Sequence, residues 1–104
     1  MPKFKIVFLV STLGQTGPTN QLYNLISFID RLEFEVTVIT LSQEPYASRW
    51  NDFHELGIDI HCLNSGRITS FLTARKRLLH FVRRIRPDII HSQGIRADYL
   101  NSSL

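Results

Sequence analysis

Two glycines three positions apart, Gly14 and Gly17, bracket Gln15 and Thr16 at the end of an apolar run. Glycine permits tight turning and lets a ligand approach the backbone, while unpaired amides at the start of a following helix point towards negative charge. Thr16 and Thr19 can add hydroxyl donors, and Ser11 and Thr12 stand at the preceding strand end. The chemistry this arrangement suits is contact with an anionic or sugar-like ligand; the other reading is a loop whose glycines only satisfy turn geometry. Thr12 stands where a dinucleotide fingerprint needs glycine, so G-x-G-x-x-G is absent, and no Gly-Lys-Ser/Thr follows to make a P-loop.

The four histidines, His54, His61, His80 and His91, show no metal-ligand spacing, and His-Glu-x-x-His is absent, so no metal or cofactor is expected. His91, at a strand end, is the functional candidate among them. Asp88 begins its strand instead of ending it, which favours a structural role such as hydrogen bonding to turn amides. Asp98 suits a cap on the following helix, and Glu44 suits either a turn beside Pro45 or polar contact with a ligand. Ser11 lacks a Gly-x-Ser-x-Gly elbow, so a nucleophilic triad with His91 is not expected.

These residues need a scaffold, and the hydrophobic pattern supplies one. Lys5 to Val10 is apolar without polar alternation after its first residue, as in a central strand covered on both faces. Leu22, Leu25, Ile26, Ile29 and Leu32 then recur as one helical stripe, with Pro18 in the first turn and Gly17 at or near the cap. Further strands are expected at Glu35 to Leu41, Ile58 to Leu63 and Asp88 to Ser92, the third alternating as an edge strand does. Helices are expected at Tyr46 to Leu56, stopped by Gly57, and at about Thr69 to Arg84 after a turn at Asn64 to Arg67. Another opens at Ile95. In the Thr69 to Arg84 helix, Phe71, Ala74, Leu78, Val82 and Ile85 line one face.

Strands alternating with helices over connections this long imply parallel pairing and right-handed crossovers. Ser11 to Gly17, Ser42 to Pro45, Asn64 to Gly66 and His91 to Gly94 then share the carboxyl rim of the sheet, where open α/β sheets bind ligands. The fold class is therefore α/β, an open parallel Rossmann-like sheet with flanking helices, in one domain of 104 residues.

Composition adds boundaries. A hydrophobic content of 43% places the chain among folded proteins, and a net charge of +3 is compatible with anionic ligands without demanding nucleic acid. Cys62 is the single cysteine, which excludes an intrachain disulfide and fits reducing, cytoplasmic surroundings. From Arg67 to Arg86 there are seven cations and no acidic residue. That run is either a solvated helix face or a peripheral contact with an anionic membrane surface through Lys76, Arg77, Arg83 and Arg84. Aromatic-basic interleaving is missing, so no nucleic-acid partner is expected.

Phe4 to Ile29, Phe34-Glu35-Val36-Thr37-Val38-Ile39-Thr40, Leu56-Gly57-Ile58 and Arg86-Pro87-Asp88-Ile89-Ile90-His91-Ser92-Gln93-Gly94 together resemble the amino-terminal domain of retaining glycosyltransferases of family 4, two-domain enzymes of GT-B architecture. The resemblance implies a partial amino-terminal domain over residues 1–104. It implies an acceptor-side role in moving sugar from a nucleotide-sugar donor, with the carboxyl-terminal donor-binding domain and its paired glutamates absent. It assigns donor diphosphate and sugar contact to Gly14, Gln15, Thr16 and Gly17, and sugar or acceptor contact to His91, Gln93 and Gly94. Gln93 stands where the family often has a second histidine, and an amide still donates and accepts hydrogen bonds. Such a chain would not transfer sugar alone, and its uncovered sheet edge would favour self-association. The competing expectation is a non-catalytic anion-binding or protein-interaction α/β module.

Overall fold

The computed structural model describes residues 3–42, 47–64 and 71–104. The order of elements is β1 (Phe4–Val10), α1 (Gly17–Phe28), β2 (Phe34–Thr40), α2 (Trp50–Glu55), β3 (Asp59–Cys62), α3 (Phe71–Ile85), β4 (Ile89–Gln93) and α4 (Ile95–Ser102). All pairings are parallel and the sheet order is β3-β2-β1-β4. The α/β Rossmann-like expectation therefore holds. Glu44, Pro45, Tyr46, Gly66, Arg67 and the expected helix start at Thr69 lie outside the described residues.

The apolar run of β1 is central, and its alternate side chains feed two cores. Val7 and Leu9 pack with Ile39, Leu41 and Leu63 beneath α3 (Ala74, Leu78) and α4 (Ala97, Leu100). Phe8 and Val10 pack with Val36 and Val38 beneath α1 (Leu22, Ile26) and α2 (Phe53). The two layers follow from handedness: crossovers of one hand that step first outward to β3 and then back past β1 to β4 place their helices on opposite faces. β1 is the point where the direction reverses, and a crevice opens between the carboxyl ends of β1 and β4.

Three elements differ from the sequence expectation. α1 ends at Phe28 and its apolar stripe reaches the core only in part: Leu22 and Ile26 are buried and Ile29 packs against the same core, whereas Leu25 is 48% and Leu32 86% exposed. Asp30 accounts for this stop. Its carboxylate accepts from the Leu32 amide (2.9 Å), and its carbonyl accepts from Glu33 (3.1 Å) and Phe34 (2.9 Å), turning the chain out of the helix. α2 has six residues, beginning at Trp50 instead of Tyr46, because Ala47 to Arg49 pair with the loop after β1. β4 runs to Gln93 and is an edge strand, with Ile89 51% exposed, while β3 forms the other edge as its alternation implies.

Two local expectations are met by hydrogen bonds. Gly57, at φ +78°, closes α2 through its amide to the His54 carbonyl at 3.1 Å. Asp88 pins the start of β4 to the start of β1: its Oδ2 accepts from the Lys5 amide (2.7 Å), and its own amide donates to the Lys5 carbonyl (2.8 Å). Asp88 is thus structural, as expected, with a strand amide as partner in place of a turn amide.

Candidate ligand cleft at the β1–β4 rim

β1 delivers Ser11 and Thr12 to the rim, and Leu13 then anchors the loop by complete burial. The loop is held from outside by the segment after β2. Arg49 donates its amide to the Leu13 carbonyl (2.7 Å), Gln15 donates its amide to the Ala47 carbonyl (3.3 Å), and Gly14 pairs with Ser48 as an antiparallel bridge. The Arg49 side chain completes the clamp. Its guanidinium lies 4.2 Å from the centre of the Tyr23 ring, donates to Asn20 Oδ1 (2.8 Å) and meets Asp52 Oδ2 (3.1 Å).

Thr16 caps α1, with its hydroxyl accepting from the Thr19 amide at 3.4 Å and sharing a 3.1 Å hydrogen bond with the Thr19 hydroxyl. Its carbonyl takes the Asn20 amide at 3.0 Å, and Pro18 has no amide hydrogen to offer. The Gly14 amide reaches Thr12 Oγ1 at 3.4 Å. Loop amides that the sequence leaves open to a ligand are thus largely engaged by protein. Thr16 and Gly17 are the exposed exceptions: their amides have no protein acceptor among the described residues. A Cβ built on Gly17 would meet nothing within 4 Å, so the space beside it is open.

Across the crevice, β4 alternates. His91 and Gln93 face the α1 side, and the His91 ring sits edge-on to Phe8, its register partner, with centroids 5.6 Å apart. Ser92 faces the other way, donating to Asp98 Oδ1 at 2.6 Å and accepting from Asn101 Nδ2 at 3.3 Å. Asp98 therefore acts within α4 and β4. Gly94 adopts φ +97°, ψ 155° at the α4 cap, and a Cβ there would lie 3.8 Å from Ser11 Oγ. The two strand ends thus come together at the rim.

A cleft of about 240 Å³ lies between them. Ser11, Thr12, Thr16 and Thr19 line one side and Gln93 and Gly94 the other, over an apolar floor that includes Val10 and Leu22. Thr16, Gln93 and Gly94, three of the residues singled out in the sequence, therefore share one cavity. Gly14, Gln15, Gly17 and His91 flank it without lining it. The lining holds hydroxyls and one carboxamide and no charged side chain. It can hydrogen-bond a polyhydroxylated group in several directions, and the nearby Thr16 and Gly17 amides, without a protein acceptor among the described residues, can donate to an anion.

The sequence does not mark Arg49, since no spacing rule joins it to Gly14, 35 positions earlier in the chain. The same holds for Arg96, which donates to Ser42 Oγ at 2.9 Å and ties the rim on the α4 side. Among the described residues no three His, Cys, Asp or Glu side chains gather as metal ligands.

The sequence model of Glycosyltransferase Family 4 matches residues 16–101. That span takes in Thr16, Gly17 and His91 to Gly94 and starts just after Gln15. Neither a curated protein nor a solved structure matches the chain significantly. With the matched span covering most of its length and the parallel sheet in place, the chain belongs to glycosyltransferase family 4.

Proposed function

We propose that this chain serves as the acceptor-side domain in transfer of a glycosyl group from a nucleotide-sugar donor, with retention of anomeric configuration, and that the β1–β4 cleft holds the reacting groups. The observation that carries this reading is the pairing of exposed Thr16 and Gly17 amides with a neutral, hydroxyl-rich cleft at the reversal point of the sheet. Amides at the start of α1 suit the donor diphosphate, with the positive end of the helix behind them. Gln15 contributes position and not its amide, which Ala47 holds. Gly14 lets the loop turn. Gln93 offers a donor and an acceptor to a sugar hydroxyl, His91 stands one strand repeat behind it, and Gly94 leaves room between them. The free thiol of Cys62 suits reducing, cytoplasmic surroundings.

Departure of a diphosphate needs electrostatic stabilisation that uncharged cleft residues do not supply, so cations from outside the cleft are required for turnover. The test is titration of the isotopically labelled chain with a nucleoside diphosphate sugar, followed by amide NMR. The Thr16 and Gly17 amides and the Gln93 side chain should shift first. Gly17→Val should weaken binding by about tenfold, because its side chain fills the open space through which an anion approaches the loop amides, while amide dispersion elsewhere stays native. Unaltered affinity in Gly17→Val would remove the loop assignment. Binding with no transfer by the gene product that carries this chain would favour an anion-binding module instead.

A further inference from the structure

We infer that Cys62 is a site of reversible oxidation by hydroperoxides, with the buried hydroxyl of Thr40 placed to receive the sulfenic acid that forms. The inference is independent of sugar transfer, since it concerns the ends of β2 and β3 and needs no occupied cleft. Thr40 and Cys62 are register partners in parallel strands, so their side chains stand side by side on one face of the sheet. Thr40 is fully buried, and its Oγ1 has no hydrogen-bond partner among the described residues. A buried hydroxyl left unpaired costs stability. The reduced chain thus carries an unmet polar group directly beside its single thiol.

The thiol itself is within reach of solvent, because Cys62 is only half-buried at the end of an edge strand. Its Sγ accepts from the Asn64 amide (3.2 Å), while its own hydrogen goes to the Ser42 carbonyl (3.3 Å). Arg77 donates to the carbonyls of Leu63 (2.8 Å) and Asn64 (3.0 Å), which brings a positive charge to the same turn. An N–H on sulfur and a neighbouring cation suit a sulfur that attacks as an anion. The step is a two-electron oxidation. The thiolate attacks one oxygen of a hydroperoxide, the S–O bond forms as the O–O bond breaks, and the leaving hydroxide or alkoxide takes the proton that the thiol gave up. Sulfur is oxidised and the peroxide is reduced. The added oxygen is a new polar atom beside Thr40, and the Thr40 hydroxyl can pair with it. With no second cysteine in the chain, no intrachain disulfide competes, and the sulfenic acid persists until a thiol from outside condenses with it.

Trapping with dimedone after exposure to hydrogen peroxide tests this. The folded chain should give a single dimedone adduct, at Cys62, by mass spectrometry. Thr40→Val keeps the β-branched shape and removes the hydroxyl. It should shorten the life of the sulfenic acid about tenfold, the factor for one hydrogen bond, read from the adduct formed when dimedone is added after increasing delays. The same variant should leave the urea midpoint of the reduced chain unchanged or higher, because the hydroxyl has no partner there to lose. A thiol that reacts only after unfolding in urea, or a sulfenic acid that lasts equally long with threonine and with valine, would overturn the inference. So would a lower midpoint for reduced Thr40→Val, which would give the hydroxyl a purely structural use.

Discussion

Gly17 and Gly94 stand on either side of one crevice and meet different demands. Gly94 holds φ +97°, ψ 155°, a conformation that side chains with a Cβ rarely adopt, and it does so where β4 turns into α4. Gly17 is already helical, with open space where a Cβ would go. Gly94→Ala should therefore cost about 1 to 3 kcal/mol of stability. Gly17→Ala should leave stability unchanged or raise it by about 0.4 to 1 kcal/mol by restricting the unfolded chain. Urea unfolding of the two variants decides this, and equal destabilisation would show that the fold, and not a ligand, requires Gly17. Both glycines are visible in the sequence as turn residues. Which of them is strained is not, because strain depends on a backbone angle that composition does not reveal. The same holds for the loop amides: the sequence places them at a helix start, but only the fold brings the Ala47 carbonyl against Gln15.

At the scale of elements, the strands were the most legible part, since runs of Val and Ile bounded by turn residues define them with little help from tertiary contacts. Helix limits were less so. The α1 stripe continues in the sequence to Leu32, and nothing in hydrophobic spacing announces that Asp30 will gather three amides and end the helix early. The sequence extends α2 too far for a related reason: Ala47 and Ser48 pair with the loop after β1 instead of adding a helical turn. Arg49 sits where these elements join, touching Tyr23 and Asn20 of α1, Asp52 of α2 and, through its amide, Leu13. Its side chain is only 21% exposed, so the contacts are partly shielded from water. Arg49→Ala should lower stability by about 1 to 2 kcal/mol, the sum of one cation–π contact and a partly shielded hydrogen bond. It should also speed hydrogen exchange at the Gln15 amide more than at amides of β1. Unchanged protection at Gln15 would mean that the backbone pairing of Ala47 to Arg49 holds the loop without the side chain.

For the molecule as a whole, the order β3-β2-β1-β4 leaves two open edges, and they differ in what they present. β3 is four residues long, and its edge is broken by Asp59 and His61, which discourages a second strand from pairing there. β4 is longer and carries Ile89, 51% exposed, with exposed Ile95 just beyond its end. No helix of the described residues is long and apolar enough to cross a membrane. A short apolar edge with free amides and carbonyls recruits another edge of the same kind, and two β4 strands can pair about a twofold axis while both clefts stay open at the carboxyl rim. Sedimentation velocity should accordingly show mass rising with concentration, and Ile89→Lys should hold the chain monomeric by adding a charge that two paired edges would bring together. Because Ile89 lies at the start of β4, that variant should leave the Thr16 and Gly17 amide spectrum unaltered. Dimerisation that persists in Ile89→Lys would move the contact away from β4, to the exposed Leu25 and Phe28 of α1.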